Sequence, residues 1–117
     1  MDVTIFHNPN CSTSRNALAL IRQAGIEPVV VDYQKAPPTR ARLQQLLRDA
    51  GLNARDVLRW KEPLASELAL RPDQPEAQLL DAIVANPRLL ERPLVESARG
   101  VRLCRPVERV LELLPPA

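Results

Sequence analysis

Aromatic side chains are nearly missing from this chain, which has one Phe, one Tyr and one Trp, 3% of its residues. Its core must therefore be built from Leu, Val, Ile and Ala. Cysteine is equally scarce: Cys11 and Cys104 are the two present, far apart, which excludes a disulfide framework and suits a reducing compartment. No apolar run approaches the roughly 20 residues a membrane helix needs, and the amino terminus has no apolar signal stretch, so no membrane is expected and the expected location is cytoplasmic. The formal net charge is only +2 and the basic residues are dispersed, which argues against a nucleic-acid partner. No group of His, Cys, Asp and Glu has metal-ligand spacing, so no metal site is expected. Repeats and low-complexity tracts are absent as well.

What is present is ordinary for a globular protein. Hydrophobic residues make up 45% and charged residues 26% of 117 positions, a composition that suits one domain, 1–117, with its own core. Val3-Thr4-Ile5-Phe6 and Val29-Val30-Val31 read as buried strands on either side of a helix, a βαβ opening with a parallel pair. Pro37-Pro38-Thr39 then opens a helix carrying Leu43, Leu46 and Leu47 on one face up to Gly51. From about 38 to 90 the pattern predicts a helical insert, with short helices over 54–58, 64–68 and 76–85 and prolines near their boundaries. Leu79, Leu80, Ile83 and Val84 are its core positions. Residues 93–96 and 101–104 predict a hairpin turning at Ala98-Arg99-Gly100. A last helix opened by Pro106 would bury Val107, Val110, Leu111 and Leu114.

The chemistry concentrates between the first strand and the first helix, in His7-Asn8-Pro9-Asn10-Cys11-Ser12-Thr13-Ser14-Arg15-Asn16. Ser12, Thr13 and Ser14 are each candidate caps, so Cys11 lies where a helix begins. Unpaired N–H groups and the positive end of the helix dipole favour an anion there, and Arg15 adds a cation one turn on. Such settings lower a thiol pKa from about 8.5 by roughly one to several units. A protonated His7 beside the sulfur would act in the same direction, with loop bracing as its alternative role. The same N–H groups could cradle an oxyanion. Cys-x5-Arg phosphatase spacing is absent, because Cys11 and Arg15 enclose only three residues.

These ten residues resemble the active-site loop of the ArsC-type, glutaredoxin-coupled arsenate reductases of the thioredoxin-like superfamily. Glu27-Pro28, Pro37-Pro38-Thr39-Arg40, Leu58-Arg59, Glu91-Arg92-Pro93 and Arg102-Leu103-Cys104-Arg105-Pro106 are similar to that family in the same order, so the resemblance spans nearly the whole chain. It implies an α/β, thioredoxin-like mixed sheet flanked by helices, with the helical insert between the βαβ opening and the carboxyl-terminal hairpin. It further implies a Cys11 thiolate attacking arsenate, with His7 and Ser14 as its helpers and Ser14 holding or tuning the thiolate by hydrogen bonding. Arg59, Arg92 and Arg105 fall where the family holds arsenate and the cysteine–arsenic adduct. Asn8 and Arg15 are further substrate-side candidates, Arg15 with a loop role as its alternative. Pro93 is the candidate for the structural cis proline facing the cysteine.

Under this resemblance no cofactor is bound, glutathione is the co-substrate, glutaredoxin is the partner that regenerates the enzyme, and the protein acts as a monomer. Ser14 stands where a Cys-x-x-Cys motif would put a resolving thiol, so resolution falls to an external thiol. Cys104 reads as a buried structural residue, and Tyr33 and Trp60 as packing residues. Glu96 departs from the family, which tends to place an apolar residue there. Two alternatives remain: an Spx-like regulator that binds RNA polymerase without catalysis, and a same-fold thiol reductase acting on another substrate.

Overall fold

The computed structural model describes residues 1–116. In chain order its elements are β1 (Val3–His7), α1 (Ser12–Gln23), β2 (Val29–Asp32), α2 (Arg40–Ala50), α3 (Ala54–Val57), α4 (Pro63–Glu67), α5 (Glu76–Ala85), a 3-10 turn at Pro87–Leu89, β3 (Leu94–Ser97), β4 (Gly100–Leu103) and a 3-10 segment at Val107–Leu113. The chain divides into two compact units, one formed by Met1–Ala36 with the residues from Arg92 on, the other by Pro37–Glu91.

The first unit is a mixed four-stranded sheet in the order β2-β1-β3-β4. β1 runs parallel to β2 and antiparallel to β3, and β3 is antiparallel to β4. This is the α/β arrangement the sequence implies. Val3 and Ile5 lie on one face of β1, and Ile5 is in register with Val95 of β3, so period-two alternation puts all three into a single cluster. Ala17 and Ile21 of α1, four residues apart, close that cluster from above, and Cys104, Val110, Leu113 and Leu114 complete it. β3 and β4 are joined through Ala98-Arg99, with Ser97 paired to Gly100. Gly100 has φ +131°, which a side chain would make costly.

Two expectations are corrected in this unit. Val29-Val30-Val31 is an edge strand rather than a buried one, with Val29 62% and Val30 41% exposed. A β-branched run reports a preference for pleated backbone, and the neighbours that would bury it are set by strand order. The final helix is 3-10 rather than α. At three residues per turn Val107, Val110 and Leu113 share a face, which buries Val110 and Leu113 and leaves Leu111 54% exposed. Leu113→Ala should therefore cost about 2–5 kcal/mol, and Leu111→Ala within about 0.5 kcal/mol. Urea titrations of the two variants test this, and equal losses would contradict the assigned pitch.

In the second unit the expected helices form, each within about two residues of its expected bounds. α2 begins at Thr39, whose Oγ1 accepts from Arg42 N–H at 3.1 Å, and ends at Gly51 in the left-handed region at φ +70°. Its Leu43, Leu46 and Leu47 are buried. α3 carries a reciprocal Asn53–Asp56 capping box, and the Glu76 carboxylate accepts from Ala54 N–H at 3.0 and 2.9 Å. α5 packs against α2, α3 and the Pro87–Leu89 turn, burying Leu79, Leu80 and Ile83 while Val84 stays half-buried. Pro63 and Pro87 sit in first turns, where their missing N–H costs nothing. The Trp60 indole donates to Arg55 O at 2.9 Å. Among the described residues no helix is long and apolar enough to cross a membrane.

Candidate active site

The apolar end of β1 delivers the chain into a polar loop, and α1 begins at once. Cys11 itself is the N-cap residue, in extended conformation at φ −103°, ψ 121°, with no side-chain cap hydrogen bond. Ser12, Thr13 and Ser14 thus occupy the first helical turn rather than capping it. The consequence is chemical: with the cap position occupied by sulfur, the orphan N–H groups of Thr13 and Ser14 are directed at a thiolate instead of a hydroxyl. Cys11 O accepts from Arg15 N–H at 3.0 Å, and Cys11 N–H donates to Asn8 O at 3.0 Å. The side chain is 8% exposed.

Burial is the largest influence on the Cys11 thiol and raises its pKa. The Ser14 N–H, the Arg92 charge, an Arg92 side-chain hydrogen bond and the Thr13 N–H together outweigh it, so the thiol lies below its ordinary value. A second guanidinium is also at hand. Arg105 Nη1 lies 3.9 Å from Cys11 Sγ and donates to Arg92 O at 3.1 Å. Arg92 precedes β3 and Arg105 follows β4, so the pairing of Leu94 with Leu103 brings the two close together. The Arg92–Pro93 and Arg105–Pro106 peptide bonds are both cis. Where the sequence pointed to Arg15 as the neighbouring cation, the sulfur instead responds to Arg92, and Arg15 Nη1 donates to Pro9 O at 2.9 Å.

His7 and Ser14 are placed differently from expectation. Ser14 is fully buried, and its Oγ lies 2.6 Å from His7 Nδ1 while accepting from Asn8 N–H at 3.1 Å. The Ser14 hydroxyl is thus committed to the histidine and the loop, and Ser14 reaches the thiolate through its main chain. The direction of the His7 Nδ1–Ser14 Oγ hydrogen bond follows the histidine tautomer, since the hydroxyl can donate to Nδ1 or accept from it alongside Asn8 N–H. Burial pushes the His7 pKa below its ordinary value, Asp32 opposes that, and Arg22 and Arg15 reinforce it. His7 is therefore a neutral brace at pH 7 rather than a cation beside the sulfur. Asn8, 8% exposed, also ties the loop together through Oδ1, which accepts from Asn10 N–H at 2.9 Å.

Arg59 belongs to the helical unit and is held there. Its N–H donates to Leu89 O at 2.7 Å, its Nη1 donates to Arg88 O at 3.2 Å, and Glu62 and Glu91 lie 3.5 and 3.7 Å from the guanidinium. It is an ion-paired side chain rather than a solvated partner of a helix end. Cys104 is 0% exposed, and burial pushes its thiol up to about 12, so it packs as an apolar group. Tyr33 is fully buried and Glu96 half-buried. Among the described residues no group of three or more His, Cys, Asp and Glu could hold a metal ion.

The two cysteines should react very differently. Because the Cys11 pKa is lowered, its thiolate persists as pH falls, and its alkylation rate by iodoacetamide should titrate with a midpoint below the ordinary value of about 8.5. Cys104 should stay unmodified across the same range until the protein is unfolded. Peptide mass mapping after a pH series checks both, and Cys104 labelling in the folded protein would contradict the assignment.

Fold and site together define a thioredoxin-like protein with one activated thiol at the amino end of its first helix. The chain belongs to the ArsC family, whose model matches residues 6–113. It is 52% identical over 116 residues to a Rhizobium meliloti (strain 1021) protein named arsenate reductase, covering 98% of this chain and 83% of the relative. An Escherichia coli (strain K12) arsenate reductase is 44% identical over 117 residues, covering 99% and 83%. The solved structure of an arsenate reductase from Vibrio cholerae superposes with a TM-score of 0.92 at 41% identity, covering 97% of this chain and 98% of that one.

Proposed function

We propose that the protein reduces arsenate to arsenite with glutathione and glutaredoxin, using Cys11 as nucleophile. The observation that carries this reading is the meeting of Cys11 Sγ with two guanidinium groups at a helix amino end, Arg105 at 3.9 Å and Arg92 as the charge that lowers the thiol. An attacking thiolate and a tetrahedral oxyanion have the same sign, so they come together only where fixed positive groups are already in place. Planar arginine forks suit that task because they stay charged and bind two oxygens at once. The names of the relatives supply the particular oxyanion.

In this scheme arsenate binds against Arg92 and Arg105, and the Cys11 thiolate attacks arsenic. A sulfur–arsenic bond forms and one oxygen leaves as water after protonation. Glutathione then attacks the adduct, and a second thiol, supplied through glutaredoxin, completes the transfer. Arsenic takes up two electrons and two thiols end as a disulfide, so arsenite is released and Cys11 returns to its thiolate. His7 and Ser14 keep the loop in shape, with Asn8 and Arg15 bracing it, and the Thr13 and Ser14 N–H groups hold the sulfur. No bound cofactor takes part, and the protein acts as a single chain in the reducing cytoplasm.

The test is arsenate-dependent NADPH oxidation with glutathione, glutaredoxin and glutathione reductase present. Turnover that requires all of arsenate, glutathione and glutaredoxin supports the reading. Absence of turnover from a folded protein with several glutaredoxins would overturn it.

A further inference from the structure

We infer that a small cavity beside the Cys11 loop is the docking site for the zwitterionic γ-glutamyl end of the thiol co-substrate, an inference that rests on glutathione being that thiol. The cavity measures about 190 Å³ and is lined by Asn8, Pro9, Asn10, Asp32, Gln34 and Lys35. That is several times the roughly 30 Å³ share of one water. Its walls come from the loop after β1 and the turn after β2. The parallel register pairs His7 with Asp32, so the two connections leave the sheet side by side.

The donor and acceptor set is specific. Asp32 Oδ1 accepts from Gln34 N–H at 3.2 Å, and Asp32 O accepts from the N–H groups of Lys35 and Ala36 at 3.0 and 2.8 Å. These bonds shape the turn that presents Gln34 and Lys35 beside the Asp32 carboxylate. The Lys35 ammonium forms no hydrogen bond or ion pair among the described residues. Asn8 is more than nine-tenths buried and its Oδ1 is satisfied by Asn10 N–H, yet its Nδ2 donates to no group among the described residues. That amide N–H reaches solvent and is open to an acceptor carried by a ligand.

A carboxylate, an ammonium and three amides lining one cavity disfavour most ligands. A lone oxyanion meets Asp32, and an apolar group leaves every polar wall unsatisfied. An amino-acid zwitterion satisfies both signs, its ammonium on Asp32 and its carboxylate on Lys35 and the Asn8 amide. The γ-glutamyl end of glutathione is such a group. Its thiol lies roughly 7 Å away, about two residues of extended chain. Cys11 belongs to the same loop, its N–H bonded to Asn8 O at 3.0 Å.

S-methylglutathione, which binds without reacting, tests the site. In amide proton–nitrogen spectra of the full chain it should shift Asn8, Asn10, Gln34 and Lys35. Lys35→Glu should weaken its Kd tenfold or more, and so should N-acetylation of the ligand, which removes the ammonium. Lys35 is exposed, so the variant's free spectrum serves as the check that it is folded. Shifts confined to other residues, or equal affinity for Lys35→Glu, overturn the site. The coupled assay separates the two claims: turnover with glutathione alongside unaltered Lys35→Glu binding defeats the docking site alone. Arsenate reduction that proceeds only with a different thiol defeats the glutathione reading itself.

Discussion

Cys11→Ser should lower arsenate-dependent turnover by at least about a thousandfold while the protein stays folded. The site is built around a thiolate: two backbone N–H groups and the Arg92 charge bring a thiol below its ordinary value against the opposing effect of burial. The same set cannot ionise an aliphatic hydroxyl, whose pKa lies far higher, and nucleophile removal in enzymes that act through one costs on the order of 10⁶ in kcat. Serine is isosteric with cysteine apart from the sulfur radius, and position 11 is 8% exposed, so melting temperature should move little. Cys104→Ala is the companion variant. It lies in the core and titrates near 12, so its loss should reduce stability and leave turnover per folded molecule intact. Retention of a tenth or more of wild-type activity in Cys11→Ser would remove the cysteine from the mechanism. Loss of activity in folded Cys104→Ala would instead make the second cysteine the resolving thiol.

Arg92→Ala should have two effects that a merely structural role would not couple. Removing its charge raises the Cys11 pKa, so the alkylation midpoint moves up, and removing a fixed oxyanion donor lowers kcat/KM by about 10²–10³. At pH 7 the first effect reduces the thiolate fraction, and part of the lost activity should return as pH rises through the new midpoint. The second effect persists at every pH. Arg105→Ala should lower kcat/KM with a smaller change in midpoint, because its Nη1 stands 3.9 Å from the sulfur and also donates to Arg92 O. Arg92→Lys keeps the charge and loses the fork, so its midpoint should stay near wild type while kcat/KM still falls. An unchanged midpoint in Arg92→Ala would contradict the assigned electrostatics, and an unchanged kcat/KM would remove Arg92 from the substrate site.

Much of this was legible before any coordinates. The strand, polar loop and helix around Cys11 follow from a switch in hydrophobic period, and the helices of the 37–91 unit follow from leucine spacing bounded by Thr39, Gly51 and the prolines. The hairpin followed from two short strand-like segments, 93–96 and 101–104, around a turn at Ala98-Arg99-Gly100. Less legible was which of three hydroxyl residues caps α1. Ser12, Thr13 and Ser14 have similar capping preferences, and the outcome, Cys11 at the cap with Ser14 turned inward to His7, depends on where β1 ends and how His7 is buried. The 3-10 pitch of Val107–Leu113 was hidden for a related reason. Val107, Val110, Leu111 and Leu114 fit an α-helical stripe, and Leu113 enters the core only when the turn tightens.

The sequence by itself determined the class of fold, the helical segment between strands, and the position of Cys11 at a helix start. These depend on local patterns, because periodicity, turn chemistry and capping act over a few residues. Tertiary structure alone decided that β2 is an exposed edge, that Arg92 rather than Arg15 is the cation that helps lower the thiol, and that Ser14 reaches the sulfur through its N–H. It also set Arg105 against Cys11 across 94 positions of sequence. The physical reason is the same in each case: charge and burial act through space over a few ångströms, and only strand pairing determines which distant residues come that near.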